Sequence, residues 1–296
     1  MQTHTLTTPE ADLVYDVRGP LPAADGRVPL LMVGQPMDAG GFAALASYFP
    51  DRTVITYDPR GLGRSVRKDG RTDHSPVVQA GDLHALIETF GTAVEIFASS
   101  GGAVTALALV AAHPDDVATL VAHEPPLIDV LPDAAAAHRA QAAVRDIYEA
   151  KGFGAAMAAF IMMASWQGEF TDDFFALPAP DPAQFGMPAE DDGTRDDPLV
   201  SDRSWAVSDY HPDVPALTTA STHILIGVGE ESSGVLTGRT AEATAALLGL
   251  SATVFPSHHS GFVGGDEGYA GQPEAFAARL REVLDAQLQR RPEDIP

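Results

Sequence analysis

Two serines stand side by side in Phe97-Ala98-Ser99-Ser100-Gly101-Gly102, where one apolar run ends and another begins. A serine hydroxyl attacks a carbonyl carbon only when a base takes its proton and the backbone holds the oxygen clear of its neighbours. A tight turn from strand to helix exposes the oxygen. It needs small residues two positions before and two after the nucleophile, because strand and helix approach closely there. Ser100 meets that requirement with Ala98 and Gly102, whereas Ser99 would press Phe97 against the helix. The candidate nucleophile is therefore Ser100; the bland alternative is a glycine-rich turn that only opens a helix. Attack on an acyl carbon puts negative charge on oxygen, and the backbone N–H of Gly101, at the helix start, can donate to it.

The surrounding elements follow from periodicity. Apolar, β-branched runs at 12–18, 28–33, 53–57, 94–98, 117–122, 222–228 and 252–255 predict strands, and helical spacing over 77–90, 102–113, 239–248 and 273–288 predicts helices. Strands alternating with helices predict an α/β class: a mostly parallel sheet flanked by helices, with right-handed crossovers. The strand ending near Ala122 and the one beginning near Thr222 are about 100 residues apart, far more than a connection needs. Within that gap, 133–150 and 153–166 read as helices and 176–198 as an irregular Pro- and Asp-rich stretch. The expected division is a core of 1–124 and 222–296, with a largely helical cap at 125–221 lying over the carboxyl ends of the strands. Residues 153–166 are nearly apolar all round, so Met157, Met162 and Met163 either line a pocket or form the cap's own core.

Composition removes several classes of function. With 296 residues, 45% of them hydrophobic, the chain can bury a core without a metal or disulfide staple. The absence of cysteine excludes a thiolate nucleophile and a thiolate zinc site. Forty-one acidic against 18 basic residues, a formal charge of -23, oppose binding to nucleic acid or anionic membrane. No apolar run approaches the roughly 18 residues of a membrane span, and the first residues lack the basic-then-apolar pattern of an export signal. A soluble cytoplasmic protein acting on a small molecule is expected, its oligomeric state unread. Apart from His258 and His259 the histidines are scattered, without i, i+4 spacing to carboxylates, so neither a metal nor a cofactor is expected.

With the turn Asp58-Pro-Arg-Gly-Leu-Gly-Arg-Ser65 after a predicted strand, and the small-x-Ser-x-small turn at Ser100, nearly the whole chain resembles the α/β-hydrolase fold family. The resemblance implies a structural role for the Asp58–Ser65 turn. It also implies a second oxyanion donor from the loop after the third strand, where the family has His-Gly before the donor and this chain has Val33-Gly34, making Gln35 the donor through its backbone. The base is expected on a loop after the last strand. In Val254-Phe-Pro-Ser-His-His-Ser-Gly-Phe262, His259 fits the family's P-x-x-H-x-x-F spacing, with His258 as the one-residue alternative.

The orienting acid departs from the family pattern. It usually follows the strand predicted at 222–228 in a G-x-x-D sequence, yet Gly229-Glu230-Glu231-Ser232 carries serine at that position. Two carboxylates remain. Glu231 lies one residue away, and Glu124 lies at the end of the preceding strand, where some members such as haloalkane dehalogenases carry an acid. Pro125 and Pro126 fix the backbone after Glu124, the favoured reading, and geometry matters more than chain position for such an acid.

A Ser100–His259–Glu124 set would support acyl transfer through an acyl-enzyme, with a small, largely apolar ester or lactone as the expected substrate. Cofactor-free perhydrolases and carbon–carbon bond hydrolases use the same triad. The family's dehalogenases and epoxide hydrolases attack with aspartate, which Ser100 argues against. A ligand-binding protein without catalysis would also suit the altered acid loop.

Overall fold

The computed structural model describes residues 1–23, 26–265 and 270–288; the end of the expected 222–296 core segment lies outside the described residues. The strands are β1 (Gln2–Thr7), β2 (Ala11–Arg18), β3 (Leu30–Val33), β4 (Val54–Tyr57), β5 (Val66–Arg67), β6 (Val94–Ser99), β7 (Val117–His123), β8 (His223–Gly229) and β9 (Thr253–Phe255). They form one sheet in the order β1-β2-β4-β3-β6-β7-β8-β9, with the short β5 paired to β2. From β4 to β9 along that path every pairing is parallel, and β1, β2 and β5 are antiparallel. The expected mostly parallel sheet is present, extended by β1 and β5. Gln-Thr-His-Thr-Leu-Thr in β1 is nearly all exposed at the sheet edge, so burial imposes no apolar alternation on it.

Side chains alternate between two cores. Leu31, Val33, Ile96, Ala98, Leu120 and Ala122 pack with α2 (Pro76–Glu88), α3 (Gly101–Ala112) and α9 (Leu236–Leu247). Their neighbours Leu30, Met32, Phe97 and Val121 point the other way, toward α1 (Ala43–Ser47) and α10 (Pro273–Leu288). The helix α3 has no charged residue and is buried from Gly101 to Val110, as a helix wedged between the sheet and α2 must be.

Between β7 and β8 the chain forms α4 (Ala134–Lys151), α5 (Phe153–Ala164), α6 (Asp172–Phe175), α7 (Trp205–Ser208) and α8 (Val214–Thr219). Ala137, Ala140, Val144 and Tyr148 make one stripe along α4 and bury it against Ala156, Ala159 and Met163 of α5 in a third apolar cluster. Gly152, at φ 79°, lets the chain double back between these helices. The Pro- and Asp-rich stretch is irregular except for one short turn at Pro182–Phe185.

The Asp58–Ser65 turn ties the strand ends together. The Asp58 carboxylate accepts from the N–H groups of Ala39 and Arg64 at 3.0 and 2.8 Å, fixing the loop that follows β3. Arg60 forks onto Asp82 at 2.6 and 2.5 Å and so holds the turn to α2.

Candidate active site

Ser100 joins β6 to α3 with φ 56° and ψ -130°, a strained backbone for a residue with a side chain. The turn is held because the Ser100 N–H donates to the His123 carbonyl at 2.9 Å, while the Ser100 carbonyl accepts from the Ala103 N–H at 2.9 Å. The small-residue requirement has a measurable cause: a Cβ on Gly102 would lie 2.4 Å from the Val33 carbonyl oxygen. Ser100 lines a cavity of about 880 Å³ between the sheet end and the inserted helices. Ser99 is buried, its hydroxyl 3.4 Å from His123 Nδ1.

Across the strand ends, His259 Nδ1 lies 2.7 Å from Glu124 Oε2, and the Gly229 N–H donates to Glu124 Oε1 at 2.8 Å. Glu124 is fully buried, at φ 48°, and Ser257, just before the histidine pair, has φ 69°. Among the described residues, Ser100, Glu124 and Ser257 are the non-glycine positions in that strained region, and all three lie at this site. Burial alone would push the Glu124 carboxyl up. The hydrogen bond and charge of His259 outweigh it and hold the carboxyl well below its usual range. Burial pulls His123 down to about 4, against the charge of Glu124, so this ring is neutral.

His259 and Ser100 both line the cavity. His258 also reaches it and accepts from the Ser260 N–H through Nδ1 at 3.1 Å. Glu231 lines the cavity with its carboxylate 3.5 Å from Gln272 Nε2, away from the pairing that Glu124 makes with His259. Ser232, at the family's usual acid position, is buried beside the Glu124 carboxylate. Sequence reasoning gave Ser232 no part here, since its contact is formed only by neighbouring strand ends.

Of the two backbone N–H groups expected to serve the oxyanion, that of Gly101 is engaged. The Gly101 N–H donates to the Gln35 carbonyl at 3.1 Å. Gln35, on the cavity wall, is 3% exposed, and its amide nitrogen and oxygen have no partner among the described residues. Among the three methionines considered for the pocket, Met163 lines it, while Met157 and Met162 pack at the margin of the inserted segment's apolar cluster. A helix apolar all round carries no phase from which its pocket face can be read.

The expectation that no histidine has carboxylate partners at metal spacing needs correction. His84 and Glu88 are four apart on α2, and folding brings His113 and Asp116 alongside, with one ligand atom from each of His84, His113 and Asp116 within 4.8 Å of the others. His84 Nδ1 is 2.6 Å from Asp116 Oδ2, and the two imidazoles stack in parallel at 3.7 Å. Parallel stacking sets their in-plane lone pairs side by side instead of converging on one point, so we assign no ion to this group.

Parallel strands between helical layers, a strained serine turn after β6 and a His–carboxylate pair at neighbouring strand ends define the α/β-hydrolase fold, which this chain has. Solved structures agree. The chain is 21% identical to a thermophilic esterase from Thermogutta terrifontis, with 97% of this chain and 99% of that one covered at a TM-score of 0.63. An alpha/beta hydrolase from Sphaerobacter thermophilus gives 21% identity over 95% and 100% of the two chains at 0.59, and proline iminopeptidase of Mycobacterium smegmatis 19% over 97% and 98% at 0.59. An uncharacterized hydrolase of Bacillus subtilis (strain 168) is 34% identical over 129 residues, which span 43% of this chain and 46% of that protein, about half its length. No protein-family model matches the chain. An esterase and a peptidase on one fold leave the scissile bond to be argued from the site. Among the described residues, no helix is long and apolar enough to cross a membrane.

Proposed function

We propose that the protein is a serine hydrolase of small, largely apolar carboxylic esters or lactones, with the inserted segment 125–221 acting as a cap over a core of 1–124 and 222–296. The observation that carries this reading is a strained, cavity-facing Ser100 sharing one cavity with a His259 whose Nδ1 is paired to a buried carboxylate. Glu124 would fix the tautomer with the proton on Nδ1 and leave Nε2 to take the Ser100 proton as Oγ attacks the acyl carbon. The carbonyl π pair moves to oxygen, then returns as the alkoxide leaves with the proton held on His259. Water repeats the sequence on the acyl-enzyme and releases the acid.

The cavity wall suits an apolar substrate. Ile128, Phe160, Met163, Leu199, Val207 and Leu236 contribute to it, and among the described residues no lysine or arginine does. An anionic substrate would lack a charge partner there. Hydrolysis of p-nitrophenyl esters from acetate to octanoate tests the proposal. Turnover is expected on several chain lengths, falling by at least about 10⁴-fold in Ser100→Ala. Turnover that survives this substitution, or none on any ester, rejects it.

A further inference from the structure

Three amides line the cavity. Gln141 is committed to Ser208 by a reciprocal pair of bonds at 2.8 and 3.1 Å, and Gln167 Oε1 packs so closely on Gly234 that a Cβ there would lie 2.5 Å away. Gln35 differs, since among the described residues its amide has no partner at either end although it is almost fully buried. A buried, unmet amide is costly, and the cost is recovered only when something enters to bond it.

The stem of this side chain is placed by the elbow. A Cβ built on Gly101 would lie 3.0 Å from both Cβ and Cγ of Gln35, so the glutamine stem packs directly on the residue after Ser100. The side chain therefore starts beside the residue that follows the proposed nucleophile, on the wall of the cavity that Ser100 also lines. The Gly101 N–H, expected to serve the oxyanion, is occupied by the Gln35 carbonyl at 3.1 Å. Among the described residues, no lysine or arginine stands on the cavity wall to meet a negative oxygen developing beside Ser100.

We infer that the Gln35 side chain is a catalytic residue of the proposed acyl transfer: its amide Nε2–H donates to the oxygen that becomes negative when Ser100 attacks. The inference rests on the Ser100 reading and deepens it. As Oγ bonds to the acyl carbon and the π pair moves to oxygen, rotation about the Gln35 side-chain torsions brings Nε2 to that oxygen. No hydrogen bond is broken by the rotation, because the amide makes none beforehand. When the tetrahedral species collapses, the pair returns to the carbonyl, the leaving alkoxide takes the His259 proton, and Nε2 is released. The interaction strengthens as charge develops, so it acts on kcat more than on KM.

The test is p-nitrophenyl butyrate hydrolysis together with inhibition by phenylboronic acid, whose tetrahedral serine adduct mimics the charged intermediate. Gln35→Met keeps length and volume but removes the donor. It should lower kcat by about 10²- to 10³-fold with KM within about three-fold, and weaken the boronate by at least about ten-fold. Thermal stability should not fall, since an unmet amide is removed. Gln35→Asn, which keeps a shorter carboxamide, should recover part of both losses, and Gln35→Leu, which also lacks the donor, replaces the methionine variant if that one misfolds. Butyrate turnover abolished by Ser100→Ala but within about three-fold of the parent, with unchanged boronate affinity, in the folded variant that lacks the donor overturns this inference and leaves the acyl-enzyme reading standing. Turnover that survives Ser100→Ala overturns both.

Discussion

The ends of β7 and β8 lie side by side, and both present carboxylates near His259, yet they are built differently. At the end of β7, Glu124 is fully buried, strained at φ 48°, and bonded through both carboxylate oxygens, to His259 and to the Gly229 N–H. At the end of β8, Glu231 opens on the cavity and touches Gln272, with its N–H held by the Ser257 carbonyl at 3.0 Å. Family pattern alone points to the β8 end. A carboxylate whose two oxygens are both committed has one orientation, and a carboxylate facing a cavity has many. Rigid placement of an orienting acid depends on buried hydrogen bonds more than on which strand supplies it. Ser232, at the family's usual acid position, has no carboxylate to offer His259 and lies buried there.

The sharpest way to break this comparison is Glu124→Gln. The amide keeps the shape but can present N–H toward His259 Nδ1, favouring the wrong tautomer. We expect kcat on a p-nitrophenyl ester to fall by about 10⁴-fold with KM little changed. A loss under ten-fold would place the orienting charge elsewhere.

A second difference between the strand ends is His123, which closes β7 inside a cage of Phe97, Phe255, Phe262 and Phe276. Burial lowers it from 6.5 to about 4, so between those values the unfolded chain holds a proton that the folded chain does not. Stability must therefore fall as pH drops through this window. On His123→Phe, an aromatic that suits the cage, the loss of unfolding free energy between pH 7 and pH 5 should shrink by roughly 2 kcal/mol in urea titrations. A pH dependence identical to that of the parent would mean that His123 binds its proton equally well in the folded and unfolded chain.

The parts of this arrangement that rest on local sterics were legible in the sequence. Ala98 and Gly102 distinguish Ser100 from Ser99 because the close approach to Val33 concerns residues a few positions apart. The buried parallel strands were legible too, as continuous apolar runs. What escaped was set by contacts between distant segments. The bond from Gly101 to Gln35, the Ser232 hydroxyl beside Glu124 and the grouping of His84 with His113 and Asp116 have no local signature. Strand β1 escaped because an exposed edge need not be apolar. Glu124 was proposed from family resemblance, since nothing in Val-Ala-His-Glu-Pro-Pro-Leu says that its carboxylate meets a histidine 135 residues later.

The smallest effect expected is also the one that separates the two acids most cleanly. Glu231→Gln removes the carboxylate from the β8 end while keeping the backbone bond that fixes its loop. If Glu231 has no part in orienting His259, kcat/KM on a neutral ester should stay within about two-fold of the parent. Glu231 is the acidic side chain on the cavity wall among the described residues, so an ester that carries its own carboxylate is repelled by it. At a separation of roughly 8 Å and an effective dielectric of about 40, that repulsion is near 1 kcal/mol, so the variant should gain about five-fold on the charged ester. The gain should shrink in high salt, where exposed charges are screened. A large loss on the neutral ester would move the orienting role from the β7 end to the β8 end, whereas a selective gain on the charged ester would make Glu231 a filter at the cavity and leave the orienting of His259 to Glu124.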